Sequence, residues 1–243
     1  MGAARYAPDV AALHQQASEL PELSSRSWVL QARFRLGLPL IPPVGGSVPC
    51  CPGCAQQQDF YGDHALCCPS LGVYARHNGL RAEVSELCSA VGLRVQHNVR
   101  LPDSSDIPAD LLVQGLDGFS TVAVDFSCVH ALHPSTNLAN PGNHAKSVEQ
   151  MKNRRYLSSC RRAGWHFVPF VVEVVGGCGG KGNWLLQRII ALWSAKYGWT
   201  ISEAAMHCRG RVAAALMQGV CRQLERAFPE VAGSGYVDTS TLL

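Results

Sequence analysis

Residues 108–125 decide the expected fold, because two short apolar runs within them each carry one aspartate. The stretch reads Pro108-Ala109-Asp110-Leu111-Leu112-Val113-Gln114, then a turn at 115–118 that contains Asp-Gly, then Thr121-Val122-Ala123-Val124-Asp125. Two aliphatic and β-branched runs joined by such a turn predict a β-hairpin. Fourteen residues separate the two aspartates, which is enough for one strand, a tight turn and most of a second strand. We therefore expect the two carboxylates to lie close together.

Such a carboxylate pair predicts a cation site. Two close carboxylates repel each other unless a cation or a shared proton neutralises them, and two hard oxygen ligands suit Mg²⁺ or Mn²⁺ bound beside a substrate phosphate. The helical segment that follows supports this interpretation. At about 100° per residue, Glu149, Lys152 and Tyr156 lie on one narrow face with Lys146 beside them. The spacing alone also allows the two aspartates to be ordinary strand-end residues.

This combination resembles the restriction-like endonuclease domain of early-branching LINE-type non-LTR retrotransposons. That domain is a PD-(D/E)XK nuclease in which the lysine lies on the helix after the hairpin. The resemblance rests on Pro-Ala-Asp at 108–110, Asp125 and Glu-x-x-Lys-x-x-x-Tyr at 149–156, and it extends to residues 62–66, 76–78 and 164–170. Ile107 departs from the pattern, since the family usually has arginine before the proline.

The resemblance implies a metal-dependent DNA endonuclease that nicks one strand. Asp110 and Asp125 would hold Mg²⁺ or Mn²⁺, Lys152 would orient or activate the attacking water, and Tyr156 would support the lysine or contact phosphate. Glu149 shares their helix face. The partner implied is DNA, or the RNA of a mobile element, and the implied location is the nucleus.

Other interpretations stay open at this point. Glu83 lies on the first predicted core helix, where many PD-(D/E)XK nucleases place a glutamate that reaches the metal, but it also suits an ordinary solvated helix position. The chain as a whole could instead be a non-catalytic zinc-containing nucleic-acid-binding protein, or a Holliday-junction-resolvase-like nuclease. A plasmid-nicking assay separates the catalytic from the non-catalytic alternatives.

A cluster of cysteine and histidine residues precedes the hairpin. It contains a Cys-x₂-Cys knuckle and, after nine intervening residues, a His-x₃-Cys pair: Cys51, Cys54, His64 and Cys68. Four such ligands suit tetrahedral Zn²⁺ in a closed structural site. Cys50 and Cys67 adjoin them and leave the register open, but the resembled family has one residue between Leu66 and its last cysteine, which implies Cys68. The alternative is a set of free buried thiols with a surface histidine.

The composition is that of a folded globular protein. Of 243 residues, 47% are hydrophobic and 16% charged, which suits one large domain or a domain with a small appendage. A net charge of +3 permits nucleic-acid binding without arguing for it. No apolar run approaches the length of a membrane helix and no signal peptide is recognisable, so the eleven cysteines are expected to be reduced thiols and metal ligands inside the cell.

The chain divides into four expected parts. These are an N-terminal segment with short helices near 10–20 and 27–40 (residues 1–45), the zinc knuckle (46–75), the restriction-like core (76–228) and a disordered tail (229–243). The core begins with a helix capped by Asn78, whose apolar stripe runs from Leu80 through Val84 and Leu87 to Val91.

The rest of the core is expected to alternate between strands and helices. Strands are predicted at 95–99, 109–115, 121–129 and 167–175, with helices at 144–163, 184–197 and 201–228. The resulting αβββαβ order predicts an α/β (α+β) fold, which is the order of the PD-(D/E)XK core with C-terminal helices added. The nearly all-apolar strand at 167–175 is expected in the centre of the sheet, followed by a glycine-rich turn at 176–182.

Basic residues cluster on the predicted helix 144–163, with two arginine pairs at 154–155 and 161–162. Such a cluster is often a solvated helix face. Beside a phosphodiester site, however, Lys146, Arg154 and Arg155 are expected to contact the DNA backbone, which attracts cations regardless of sequence.

Overall fold

The computed structural model describes residues 24–41, 48–101, 107–130 and 143–229. Within these ranges the helices are α1 (Ser25–Arg35), α2 (Asp63–Cys67), α3 (Val73–Ala90), α4 (Asn143–Arg162), α5 (Gly180–Tyr197) and α6 (Ile201–Ala227). The strands are β1 (Arg94–Val99), β2 (Ala109–Gln114), β3 (Thr121–Val129) and β4 (His166–Glu173), and a 3₁₀ turn spans Pro69–Leu71. The helix expected near 10–20 and the tail from 230 onward lie outside the described residues.

The four strands form one mixed sheet in the order β1-β2-β3-β4. β2 and β3 form the predicted antiparallel hairpin, with Leu111 opposite Val124 and Val113 opposite Val122. β1 adds antiparallel to β2, whereas β4 runs parallel to β3 because α4 carries the chain back along the sheet. The predicted order of helix, three strands, helix and strand is confirmed, and so is the mixed α/β class.

Helices cover both faces of the sheet, which explains why β2, β3 and β4 are apolar at nearly every position. Successive residues of a strand point to opposite faces. One face packs against α3, α5 and α6 and buries Leu111, Val113, Val122, Val124 and Phe170. On the other face, α4 packs over Leu112, Ala123 and Phe167. No helix in the described part of the chain is long and apolar enough to cross a membrane.

β4 lies at an edge of the sheet, so the prediction of a central position is wrong. The chain that follows β4 folds back along its outer edge: the Glu173 N–H donates to Gly177 O at 2.7 Å, and the Gly179 N–H donates to Val171 O at 2.8 Å. This turn satisfies backbone groups that an edge strand otherwise leaves open. An apolar strand can therefore occupy an edge when its own connection covers it.

α3 begins at Val73, five residues before the predicted cap at Asn78, so that boundary is wrong. Gly72 precedes the helix with φ of 103°, a left-handed conformation that favours glycine, and the 3₁₀ turn leads directly into it. The predicted apolar stripe is confirmed as far as Leu87, which is fully buried like the two stripe residues before it. The longer helix also includes residues 76 and 77.

A second apolar cluster joins residues 48–75, here called the knuckle region, to α1 and to the end of α6. Its buried members include Leu30 of α1, Cys51, Leu66, Cys68 and Leu71 of the knuckle region, and Val220, Leu224 and Phe228 at the end of α6. The knuckle and the C-terminal helix therefore share one core, although the sequence places them in separate parts of the chain.

Arg76 ties this second cluster to the sheet. Its side chain is 2% exposed, and its guanidinium donates to Gln223 Oε1 at 2.9 Å and to Leu66 O and Cys128 O at 3.3 Å each. A buried cation is costly unless its donors find acceptors, and here α6, α2 and β3 each supply one. A Cβ at Gly219 would lie 2.9 Å from Arg76 Cα, so the crossing of α3 and α6 requires glycine there.

Candidate functional site

The hairpin brings Asp110 and Asp125 together on one face of the sheet. The hairpin pairing ends at Leu111 and Val124, and the two aspartates directly adjoin these residues. Their carboxyl groups hydrogen-bond each other, so the pair shares one site. Asp125 is buried at 8% exposure, and the Asp110 side chain retains 20%. The face is the one that α4 covers.

Lys152 reaches this pair from α4. Its Nζ donates to Asp125 Oδ2 at 2.7 Å and to Phe126 O at 3.3 Å. The Lys152 and Asp125 side chains keep only 13% and 12% of their exposure, so solvent screens their attraction less than that of a surface ion pair. The structure thus brings the helix lysine to the two strand aspartates.

The two carboxyl groups have different surroundings, and their pKa values shift in opposite directions. Burial raises the pKa of Asp125, Lys152 opposes this effect, and the neighbouring Asp110 carboxylate raises the pKa further, so that it reaches about 6. Burial also acts to raise the pKa of Asp110, but hydrogen bonds from His77, from the Phe126 N–H and with Asp125 outweigh burial and lower it. The first proton taken up by the pair is therefore held on Asp125.

His77 is a further member of the site, to which the sequence analysis assigned no role. Its Nε2 lies 3.1 Å from Asp110 Oδ2, an oxygen that also accepts the Phe126 N–H at 2.7 Å. The hydrogen bond to Asp110 raises the pKa of His77 in spite of burial, which acts to lower it. The available signal was its place in the segment 76–78, one of the segments that carry the family resemblance.

Glu149 and Glu83 contact other groups. Glu149 Oε1 accepts the backbone N–H of Lys181 at 3.0 Å, so this carboxylate lies at the first turn of α5, where the helix dipole favours a negative charge. Glu83 forms an ion pair with Arg211 of α6. The structure therefore places these two glutamates at contacts between helices.

The outer surface of α4 is basic. Lys146, Arg154 and Arg155 are exposed, and the Arg155 guanidinium carbon lies 4.9 Å from the centroid of the Tyr156 ring. That ring packs edge-on against Phe167 of β4, with centroids 5.9 Å apart. Tyr156 thus connects the buried side of α4 to its basic surface.

The cysteine and histidine ligands preferred from the sequence converge at one point. The ligand atoms of Cys51, Cys54, His64 and Cys68 all lie within 4.8 Å of one another, so this cluster could bind a metal ion such as zinc. Cys50 is exposed and Cys67 is half-buried, and neither belongs to the cluster. The geometry therefore selects Cys51 and Cys68 from the adjacent cysteine pairs.

The Cys-x₂-Cys turn presents Cys51 as a metal ligand. The Gly53 N–H donates to Cys51 Sγ at 3.4 Å, and a Cβ at Gly53 would lie 2.7 Å from Ser70 Cβ, so this turn packs closely against the chain after Cys68. Burial acts to raise the pKa of Cys51, but hydrogen bonds led by the Gly53 N–H outweigh it and lower the pKa to about 7. A thiolate that forms near neutral pH is the species that binds metal.

Asp59 positions the histidine ligand. Its carboxylate accepts the backbone N–H groups of Tyr61 at 2.8 Å, Asp63 at 3.0 Å and His64 at 2.6 Å. These bonds satisfy donors at the start of α2 that the helix itself leaves open. His64 is thereby held at the first turn of the helix that ends beside Cys68.

The burial of Asp125 predicts a pH-dependent stability. Its pKa rises from 3.8 to about 6 on folding. Between these pH values the Asp125 carboxyl therefore holds more of its proton in the folded protein than in the unfolded chain, and its contribution to stability falls as pH rises. Asp125→Asn removes this group. In solutions without Mg²⁺ or Mn²⁺, the variant should therefore gain stability relative to the parent between pH 4 and pH 6, by on the order of 2 kcal/mol.

Urea unfolding of both proteins across this pH range measures the effect. The pH dependence of the cysteine and histidine cluster is common to the two proteins and cancels in their difference. A difference that stays constant with pH would show that the Asp125 carboxyl titrates as it does in the unfolded chain.

Neither a scan against protein-family models nor a search of curated proteins finds a match for this chain.

Proposed function

We propose that this chain is a metal-dependent endonuclease that nicks DNA by hydrolysing a phosphodiester bond. The observation that carries the proposal is the convergence of Asp110, Asp125 and Lys152: the two carboxyl groups hydrogen-bond each other, and the lysine Nζ lies 2.7 Å from Asp125 Oδ2. The αβββαβ order is compatible with a PD-(D/E)XK core. The sequence resemblance to the endonuclease domain of LINE-type elements supports DNA as the substrate and a nuclear location.

The carboxylate pair suits a divalent cation. Asp110 and Asp125 would hold Mg²⁺ or Mn²⁺, since both supply hard oxygen ligands. Burial raises the pKa of Asp125 even beside Lys152, so a further cation would stabilise its ionised form. Such an ion would polarise the scissile phosphate and stabilise the charge that develops on its oxygens.

Lys152 and His77 would act around the same pair. The Lys152 ammonium, largely shielded from water, can hydrogen-bond a water molecule or a phosphate oxygen next to Asp125, and a fixed cation in such a site stabilises developing negative charge more than it would in bulk water. His77 holds Asp110 Oδ2 by a hydrogen bond. We assign it a positioning role, because it acts on the carboxylate.

Exposed cations near the site support a nucleic-acid substrate. Lys146 lies six positions before Lys152 on α4. Arg154 and Arg155 lie two and three positions after Lys152. Lysine and arginine contacts to phosphate position a duplex without reading its sequence. These side chains would hold the DNA backbone along α4.

We assign zinc to the cluster of three cysteines and one histidine. A Cys₃His donor set is typical of closed structural zinc sites. Two of its ligands, Cys51 and Cys68, are buried in the apolar cluster that contains the end of α6. The ion would stabilise the fold and would take no part in the cleavage.

Conversion of supercoiled plasmid to the nicked circle tests the proposal. The parent protein should nick in Mg²⁺ or Mn²⁺ and not after removal of divalent metal, and Asp125→Asn should abolish nicking while DNA binding is kept or improved. Asp117→Asn, the same chemical change at an exposed position of the hairpin turn, should nick like the parent.

Two outcomes contradict this expectation. If the parent binds DNA but does not nick it with either metal, the chain is better described as a non-catalytic zinc-containing nucleic-acid-binding protein than as a nuclease. If Asp125→Asn nicks at the parental rate, the catalytic carboxylates lie elsewhere in the chain. Zinc content is measured in every sample, because a chelator that removes the structural ion would abolish activity for another reason.

A further inference from the structure

A group of three aromatic rings and one arginine, here called the aromatic–arginine cluster, lies on the sheet face opposite the carboxylate pair. Its members are Phe119 after the hairpin turn, His166 at the start of β4, and Trp184 and Arg188 one turn apart on α5. The ring centroids are 4.5 Å apart for Phe119 and His166, 5.0 Å for His166 and Trp184, and 5.3 Å for Phe119 and Trp184. All four side chains are half-buried.

The Arg188 guanidinium is held by ring faces. Its carbon lies 4.7 Å from the Trp184 centroid and 5.1 Å from the Phe119 centroid. Within the described ranges no carboxylate pairs with it, and its buried Nε donates to none of the described residues. Cation–π contacts fix the position of a guanidinium without neutralising its charge, so Arg188 keeps its attraction for an anion.

Further cations surround the cluster. Burial lowers the pKa of His166, and the positive charges of Lys181, Arg188 and Arg161 lower it further. The imidazole is therefore biased toward its neutral form, in which it stacks as an aromatic ring. Arg161 and Lys181 are both exposed.

Two acidic residues lie near these cations. The Glu149 carboxylate accepts the backbone N–H of Lys181, and Asp117 is exposed in the hairpin turn two positions before Phe119. Lys181, Arg188 and Arg161 carry three positive charges and the two carboxylates carry two negative ones. The net charge around the rings is therefore +1.

From this arrangement we propose that the aromatic–arginine cluster binds single-stranded DNA. One unpaired base would stack on the half-exposed rings, and Arg161, Lys181 and Arg188 would contact the adjoining phosphates. Aromatic side chains beside a basic surface are the combination that binds single strands, because every base presents a π face. Bases within a duplex are stacked on one another and offer no such face.

The cluster lies close to the carboxylate pair along the sheet. Pro169 of β4 pairs with Asp125, and His166 precedes it by three residues, which is about 10 Å of strand. A strand that is cut at the carboxylate pair and frays from its partner could therefore reach the cluster around the β4 edge. This placement beside a cut rests on the proposed function, whereas binding of single strands does not.

Binding of a dye-labelled twelve-nucleotide oligothymidylate, followed by fluorescence anisotropy without added divalent metal, tests the proposal. Arg188→Ala should weaken binding about tenfold, since base stacking and its cation–π support contribute on the order of 1–3 kcal/mol per base. Lys181→Ala should lower the slope of log affinity against log salt by about 0.7, the value for one phosphate contact to a single strand. Arg222→Ala, which removes the same charge at an exposed position near the end of α6, is the matched control.

The outcomes test single-strand binding separately from the proposed nuclease activity. Loss of affinity in Arg188→Ala and not in Arg222→Ala, with unchanged circular dichroism, supports the cluster even if the parent never nicks plasmid. Equal affinities of the parent, Arg188→Ala and Arg222→Ala overturn it even if the parent does nick. Tighter binding of oligouridylate than of oligothymidylate, with the same dependence on Arg188, overturns the assignment of DNA as the ligand.

Discussion

Lys152→Ala should slow plasmid nicking by at least about a hundredfold. The Lys152 ammonium is 2.7 Å from Asp125 Oδ2 and largely shielded from solvent. Among the described residues it is the cation that pairs with this carboxylate. A positioned acid–base group contributes about 10²–10⁴-fold to a rate, and a hundredfold loss is the smallest that is consistent with a catalytic lysine. Metal binding by the two aspartates should largely persist, because the lysine acts on water or phosphate.

Initial nicking rates at saturating Mg²⁺ measure this effect. Lys196→Ala, an exposed lysine on α5 whose Nζ donates to Ala90 O, removes the same charge away from the site and should retain the parental rate. If Lys152→Ala nicks at close to that rate, the helix lysine is not catalytic. Lys146 on the same helix would then be the next lysine to replace.

The second large effect is expected at the zinc cluster. Cys51→Ser should remove the metal and lower the free energy of unfolding by about 3 kcal/mol or more, because the affinity of a structural site for its ion is part of the folding energy. The Cys51 side chain is 2% exposed and lies in the apolar cluster with Leu224 and Phe228. Loss of the ion should therefore loosen the end of α6 as well as the knuckle.

Metal analysis and urea unfolding check this expectation together. The parent should contain about one zinc per chain, and Cys51→Ser should contain much less. Cys50→Ser is an unusually close control, since it changes the same atom in the adjacent exposed residue and should leave both measurements unchanged. Zinc retained by Cys51→Ser, or lost equally by Cys50→Ser, would show that the ligand set is different.

Local patterns in the sequence were sufficient to predict the hairpin. Its two strands alternate between two buried faces, and the Asp-Gly turn fixes how many residues separate them. That register brings the strand ends that carry Asp110 and Asp125 together. The position of Lys152 followed from helical periodicity, because a helix that covers the hairpin face must direct one side of its surface toward the strands.

Contacts between distant segments were not predictable in the same way. His77 and Asp110 are separated by 33 residues, and no period in the sequence relates a helix start to a strand start. Glu149 fell on the predicted face of α4, but its carboxylate meets the N–H groups at the start of α5, a helix whose placement periodicity does not give. The prediction of a central position for β4 was wrong. A strand whose outer edge is covered by its own following turn has the same apolar pattern as a strand between two others.

The position of Arg76 bears on how this protein could be divided or recombined. Its guanidinium takes acceptors from Leu66, Cys128 and Gln223, so it belongs equally to the knuckle region, the sheet and the last helix. A fragment that begins at residue 76 would lose the Leu66 acceptor and would expose the apolar end of α6. Residues 48–75 are thus not an interchangeable cassette, and a transfer of residues 76–228 into another protein has to include that segment.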